Sequence, residues 1–467
     1  MIINRMNVNL AGMACKAART SAQIKTPKHL TVKIETFKAF EFINYRFLWA
    51  STALFSGGFW LQQVVVGWLA YSMTQSPLVT SIVLGLDALP ILLGAPLGGV
   101  ISEKFDKKKL IIWVYIYQAI LSLIFGVVII AGKESISGLF IFVLLMGISW
   151  TINDPSRISL LASIIPKDGM INAFALNSMA FSIMRLCVPA IGGLLIAWVG
   201  VGPLFIVQSM LTLSASSVLY FINVKEKPAN REPFKKSIRN LYPDLKLGLS
   251  FATRQPLIIG LTFTTLLMMI LVIPFVQGLM PVYAAEIFNS GPERLGLLLS
   301  AAGVGSLIST VFIASLKEIR KPGKVIFIIF AFLVMLMIAM SQNSNYYVGL
   351  ITFMLLSGCI MAYFSISSAT LQRFLPNEVR ARVTGLYMMV WGLIPVGSLV
   401  AGTIANTLGP KTATLTGALI LISVITGGIF FCKELLQHDS QNTLIYNFQH
   451  TTHNSSTSYK VKSVTEI

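Results

Sequence analysis

Apolar runs of about twenty residues recur along most of this chain, and that is the length a helix needs to cross a bilayer. Twelve can be marked off, roughly 47–71, 78–101, 109–131, 137–153, 172–198, 202–223, 256–284, 294–316, 324–341, 346–371, 382–407 and 412–432. Each can close its own backbone hydrogen bonds as a helix, which the lipid interior demands. The joints carry turn chemistry: QSP at 75–77, VGVGP at 199–203, NSGPE at 289–293 and LGPK at 408–411. Charged residues make up only 12% of the 467, against about 25% in a soluble domain. The pattern predicts an all-α membrane protein with the lipid bilayer as its first partner.

An even number of spans puts both termini on one side. Of the 36 Lys and Arg, three (Lys133, Arg294 and Lys411) fall on the other side and Arg185 falls inside a span. The rest share the side of the termini, which the positive-inside rule assigns to the cytoplasm. The net charge of +18 is thus a topology signal and not a mark of nucleic-acid binding. Residues 1–43 form a basic arm with no apolar core of signal-peptide length. Residues 44–223 and 256–433 hold six spans each, the basic stretch 224–255 joins them, and the polar tail 434–467 reads as a disordered cytoplasmic segment. The halves repeat: IIPKDGMINA opens the fifth span at Pro166 and FLPNEVRARV opens the eleventh at Pro376. Two matched bundles with a site near the midplane between them are a transporter plan.

Charge inside a span is costly, at about 2.5–3.5 kcal/mol on insertion scales. Two such groups lie well inside: Asp87, in LGLDALPILL, and Arg185, in NSMAFSIMRLCVPAIGG. Asp87 facing water between the bundles would take up and release a proton; the alternative is an acid held for packing. Arg185 shares a helical face with Ser178 and Ser182. It either binds an anionic group or forms a fixed pair with Asp154 or Asp87. Cys15, Cys187, Cys359 and Cys432 are scattered and have no redox or metal spacing. The HTTH at 450–453 has no other ligand nearby, so neither a metal nor a cofactor is expected. No phosphate loop, nucleotide motif or nucleophile constellation is present, which speaks against an enzyme and against ATP as the energy source.

The segment GGVISEKFDKKK, 98–109, ties these features to a family. It is similar to the loop between the second and third helices of the major facilitator superfamily, with Gly99, Glu103, Lys104, Asp106, Lys107 and Lys108 in the motif slots. Asp106 where a glycine is usual resembles the branch containing the enterobactin exporter and related drug-efflux proteins. So do FWLQQVVVGWLAYSMTQSPL (59–78), NDPSRISLLASIIPKD (153–168), NAFALNSMAF (172–181) and VRARVTGLYMMVWGLIPVGSLVAG (379–402). The resemblance implies twelve transmembrane helices in two pseudo-symmetric six-helix bundles. It also implies a cytoplasmic latch, with Glu103 facing Arg380 or Arg382 and with Gly98 and Gly99 permitting close helix approach; the alternative is a plain topogenic charge cluster. Pro189, Gly192 and Gly193 resemble the fifth-helix signature of the antiporters and imply export. Many relatives carry an acid at the position of Phe59, so either Asp87, with Arg185, takes over the coupling of a proton gradient here or the coupling differs.

In this superfamily the first, fourth, seventh and tenth helices line the cavity. The polar and aromatic residues on those spans are Trp60, Gln62, Gln63, Trp68, Trp150, Asn153, Gln277, Tyr363 and Ser367, with interhelical hydrogen bonding as the alternative role for each. As a set they suit a bulky amphipathic small molecule. Pro274 and the Gly303/Gly305 pair would allow bending and close contact in the second half. The resemblance implies a monomeric secondary exporter of a siderophore or lipophilic drug in a bacterial inner membrane, working by proton antiport and alternating access. A lysophospholipid flippase or an uptake carrier on the same fold, or a non-transporting sensor or assembly protein, are the alternatives.

Overall fold

The computed structural model describes residues 38–431, apart from 167–168, 225–242, 244, 317–318, 320 and 376. Of the helical residues 93, 103, 171, 377–381 and 428–431, only the backbone is described. The basic arm, most of the linker, the C-terminal tail and the side chains of Glu103 and Arg380 lie outside those residues.

Every long element described is a helix. In chain order these are α1 Ile43–Thr74, α2 Pro77–Leu86, α3 Leu89–Lys104, α4 Lys107–Ile130, α5 Ile136–Ile164, α6 Met170–Val199 and α7 Gly202–Tyr220. They continue with α8 Pro256–Leu267, α9 Pro292–Ser315, α10 Pro322–Gln342, α11 Tyr346–Phe374, α12 Asn377–Met389, α13 Ile394–Leu408 and α14 Pro410–Phe431. The joints work by local chemistry. Ser76 accepts from the Val79 N–H with Pro77 at the first turn of α2. Asp106 caps α4 by accepting from the Lys109 N–H at 2.9 Å. Gly200 and Gly409 end α6 and α13 with φ of 79° and 84°, where a side chain would be strained.

Eleven helices among the described residues are long and apolar enough to cross a membrane. The expected second span is the twelfth crossing, and it is broken. α2 and α3 meet at Asp87 and Ala88, where the Ala88 N–H bonds back three residues to the Gly85 carbonyl at 3.1 Å. Pro90 is the cause: it has no N–H to give the Leu86 carbonyl, and its ring crowds the preceding turn. The seventh crossing, Pro256–Ile287, continues α8 through wide turns such as Phe288 N–H to Tyr283 carbonyl, 3.0 Å. The eleventh passes from α12 to α13 through a tight turn at Val390–Leu393.

The outer faces are apolar. On α4, Trp113, Ile120, Ile124 and Val127 are exposed, Trp113 by 66%; on α9, so are Ile308, Val311 and Phe312. Stripes of this kind on helices long enough to span a bilayer fit a lipid-facing surface. The buried cores divide with the chain. Ala39–Ile222 supplies two clusters, and a third is drawn from Leu257–Leu421 with Tyr71 alone from the first half.

Candidate functional site

α1 presents Trp60 and Gln63 one turn apart, and each meets an ionisable side chain from another part of the chain. The Arg185 guanidinium of α6 stands 4.9 Å from the centre of the Trp60 ring. The Gln63 amide donates to Asp87 Oδ2 at 3.4 Å. All four residues are partly exposed. Aromatic rings from three helices surround the pair. Phe59 packs edge-on against Trp60 (5.1 Å between centroids) and against Trp150 of α5 (4.6 Å). Phe181 of α6 meets Trp60 edge-on at 5.5 Å. Phe59 is therefore part of an aromatic wall.

Asp87 reaches this point because the second crossing breaks there. Gly147 of α5 makes the break possible: a methyl on it would overlap the Asp87 carbonyl oxygen. Arg185 is held differently. A Cβ on Gly303 of α9 would stand 2.9 Å from the Arg185 carbonyl oxygen, so the two backbones nearly touch. Among the described residues no carboxylate lies within ion-pair distance of Arg185. The Trp60 indole N–H is buried with no acceptor, and fully buried Asn153, one turn beyond Trp150, has both amide atoms unpartnered.

The other expected residues divide by what they touch. Gln62 is buried and accepts from the Gln208 amide of α7 at 2.6 Å. Tyr363 and Ser367 are fully buried in a string of hydroxyls. Tyr363 joins Thr264 (3.0 Å) and Thr265 (2.6 Å), Thr265 joins Tyr387 (2.7 Å), and Tyr387 joins Ser367 (2.8 Å). Gln277 is partly buried in the wide turns of the seventh crossing. Trp68 lies toward the end of α1 away from the basic loops, in a cleft with Tyr71, Ser72, Gln75, Ala285, Asn289 and Ser290. There the Tyr71 hydroxyl donates to Glu286 at 3.1 Å, tying α1 to the seventh crossing.

At the basic end, Gly98 and Gly99 differ. A side chain on Gly98 would overlap the Thr151 carbonyl of α5, whereas Gly99 has open space. Lys108 donates to the carbonyls of Tyr220 and Ile222 at 2.8 and 2.6 Å, capping the end of α7. Asp106 is the α4 cap described above. Lys104, Lys107 and Arg382 each have a partner, while a Glu103–Arg380 or Glu103–Arg382 latch falls outside the described side chains. Pro189 and Gly193 sit where α6 crosses α9: a Cβ on Gly193 would overlap the Pro292 carbonyl, and the Ala190 N–H donates to Ser300 Oγ at 3.0 Å. Gly192 packs against Leu61 of α1.

The fourth crossing corrects the expectation that Asp87 and Arg185 are the only charges inside spans. α5 runs through Pro155 to Ile164, so Asp154 and Arg157 are helical too, paired at 3.4 Å. The Asp-Pro pair reads as a helix end in sequence, but packed neighbours carry a helix across such a proline.

A family model described as transmembrane secretion effector matches residues 34–457. The staphyloferrin A transporter of Staphylococcus aureus is 23% identical over 84% of this chain and 97% of its own. A multi-drug resistance efflux pump, the PmrA homolog of Lactococcus lactis, is 26% identical over 77% of this chain and 86% of its own. The crystal structure of a single-site mutant of the nucleoside transporter NupG superposes with a TM-score of 0.65 at 14% identity, covering 83% of this chain and 99% of that one.

Proposed function

The chain belongs to the transmembrane secretion effector family of the major facilitator superfamily, multi-pass membrane transporters and not enzymes, and on that premise we propose that it exports a small amphipathic organic molecule by proton antiport. The two halves, 44–223 and 256–433, rock about a shared site as a monomer in a bacterial inner membrane, with both termini cytoplasmic. The relatives' names support a siderophore or lipophilic drug as cargo. One observation carries the reading: a helix break puts the Asp87 carboxyl on Gln63, one turn along α1 from the Arg185–Trp60 stack. An ionisable group at this depth marks an ion or substrate path. Asp87 takes the proton that enters. Proton entry down a potential of 100 mV, negative inside, supplies about 2.3 kcal/mol per charge.

The test uses purified protein in proteoliposomes holding a pH-sensitive dye, with candidate siderophores and lipophilic drugs added. Cargo movement with matched proton counterflow is the expected result. Asp87→Asn should abolish the proton signal while size-exclusion behaviour stays normal. Cargo movement with no proton signal in the wild type would replace antiport by facilitated flipping.

A further inference from the structure

We propose that the Trp60–Arg185 site takes an organic anion with a flat apolar body: the anionic group pairs with Arg185 and the body lies on the Phe59, Trp60 and Phe181 rings. This rests on the exporter reading above and sharpens it, since a siderophore-like acid and a cationic drug make opposite demands on the site.

The donors leave little choice of partner. The guanidinium is always charged and can only donate, and its recorded contact is the Trp60 ring face. That contact is attractive, at about 0.5–2 kcal/mol, but it uses none of the N–H groups. The Trp60 indole N–H is a second donor, buried and without an acceptor. A buried donor left unpaired costs about 1–3 kcal/mol. Two unspent donors and one uncompensated positive charge on adjacent side chains call for a ligand rich in acceptors and negative in charge. A planar carboxylate fits the guanidinium fork best. The rings disfavour a compact hydrophilic anion such as phosphate: Phe59 lies 4.6–6.1 Å from Trp60, Trp150 and Phe181, and apart from the indole N–H groups the four present apolar faces and edges. A cation would have to approach Arg185 without a shielding carboxylate on it.

Direction follows from the same charge. An anion leaving a cytoplasm that is negative inside moves down the electrical gradient, so its exit and proton entry are driven by one potential.

The experiment compares two probes of one shape, 2-naphthoate and its neutral amide 2-naphthamide, binding to the full chain in nanodiscs by equilibrium dialysis. The wild type should prefer the acid by about ten-fold or more, the low end of what a hydrogen bond to a charged group is worth. Arg185→Gln should bring that preference to within about two-fold, and Arg185→Lys should restore part of it. Trp60→Phe, which keeps the ring but removes the N–H, should lower it without reversing it. Equal binding of both probes by the wild type, or an undiminished acid preference in Arg185→Gln, would overturn the proposal. If Arg185→Gln does not fold, the Arg185→Lys and Trp60→Phe preferences decide in the same way. Acid preference without proton-linked transport in the proteoliposomes would remove the exporter reading and leave the anion site standing. Proton-linked transport without acid preference would do the reverse.

Discussion

Single side chains here are sorted by whether a neighbour has already claimed them. Among the described residues, Asp87 accepts from Gln63, the Arg185 guanidinium meets only the Trp60 ring and the Trp60 N–H has no acceptor, while Gln62 gives its amide oxygen to Gln208. Their types and depth were legible in the sequence, because an isolated charge in an apolar run has few reasons to be there. Their pairing was not. That Trp60 meets Arg185 and Gln63 meets Asp87 depends on the rotation of α1 about its axis, and the helix is apolar on nearly every side. Nor did sequence separate Gly98 from Gly99, since only the position of the Thr151 carbonyl does so. A paired substitution makes this measurable. Gly98→Ala should cost about 1–3 kcal/mol through overpacking and lower the melting temperature in detergent, while Gly99→Ala should stay within about 0.5 kcal/mol of wild type. Removing the Lys108 ammonium by Lys108→Met should destabilise by about 1–3 kcal/mol, because two carbonyls at the end of α7 lose a charged donor.

The helices themselves were written plainly, as apolar length punctuated by Ser-Pro, Gly-Pro and Asn-Ser-Gly signals. Two were misjudged, in opposite senses and for one reason. Pro90 breaks the second crossing whereas Pro155 leaves α5 running to Ile164. A proline's effect depends on whether surrounding helices satisfy the carbonyl it abandons, and that is a tertiary fact. The break also places the acid. Pro90→Ala restores the missing N–H and should join α2 to α3, turning Asp87 away from Gln63. The expected outcome is a melting temperature unchanged or raised with proton-coupled transport reduced by about ten-fold or more, because a group misplaced by about an ångström loses its working geometry. Gly147→Ala approaches the same point from α5. Its methyl meets the Asp87 carbonyl, so it should lower both stability and transport, read by thermal melting and by dye quenching in proteoliposomes.

Across the described residues, the halves meet where α6 crosses α9 at Gly193, where α2 crosses α13, and where α3 meets the turn at Gly392. At the end away from the basic loops they are also tied by side chains, with Tyr71 on Glu286 and Ser76 on Asn406 at 3.0 Å. If the halves rock as proposed, these ties must part. Ser76→Cys with Asn406→Cys, in a background lacking Cys15, Cys187, Cys359 and Cys432, should form a disulfide on mild oxidation. Transport should stop and return with reductant; undiminished transport with both thiols consumed would mean that this seam does not open. The hydroxyl string from Thr264 to Ser367 sets a different kind of limit. Its members come from three crossings, and most of them need two neighbours at once, so one replacement strands several groups in a water-free interior. A library selected for new cargo would then accept changes among the first-half rings and discard nearly all of those at Thr265, Tyr363 and Tyr387, so that new specificities would arise on one side of the pocket while the hydroxyl string facing it kept its sequence.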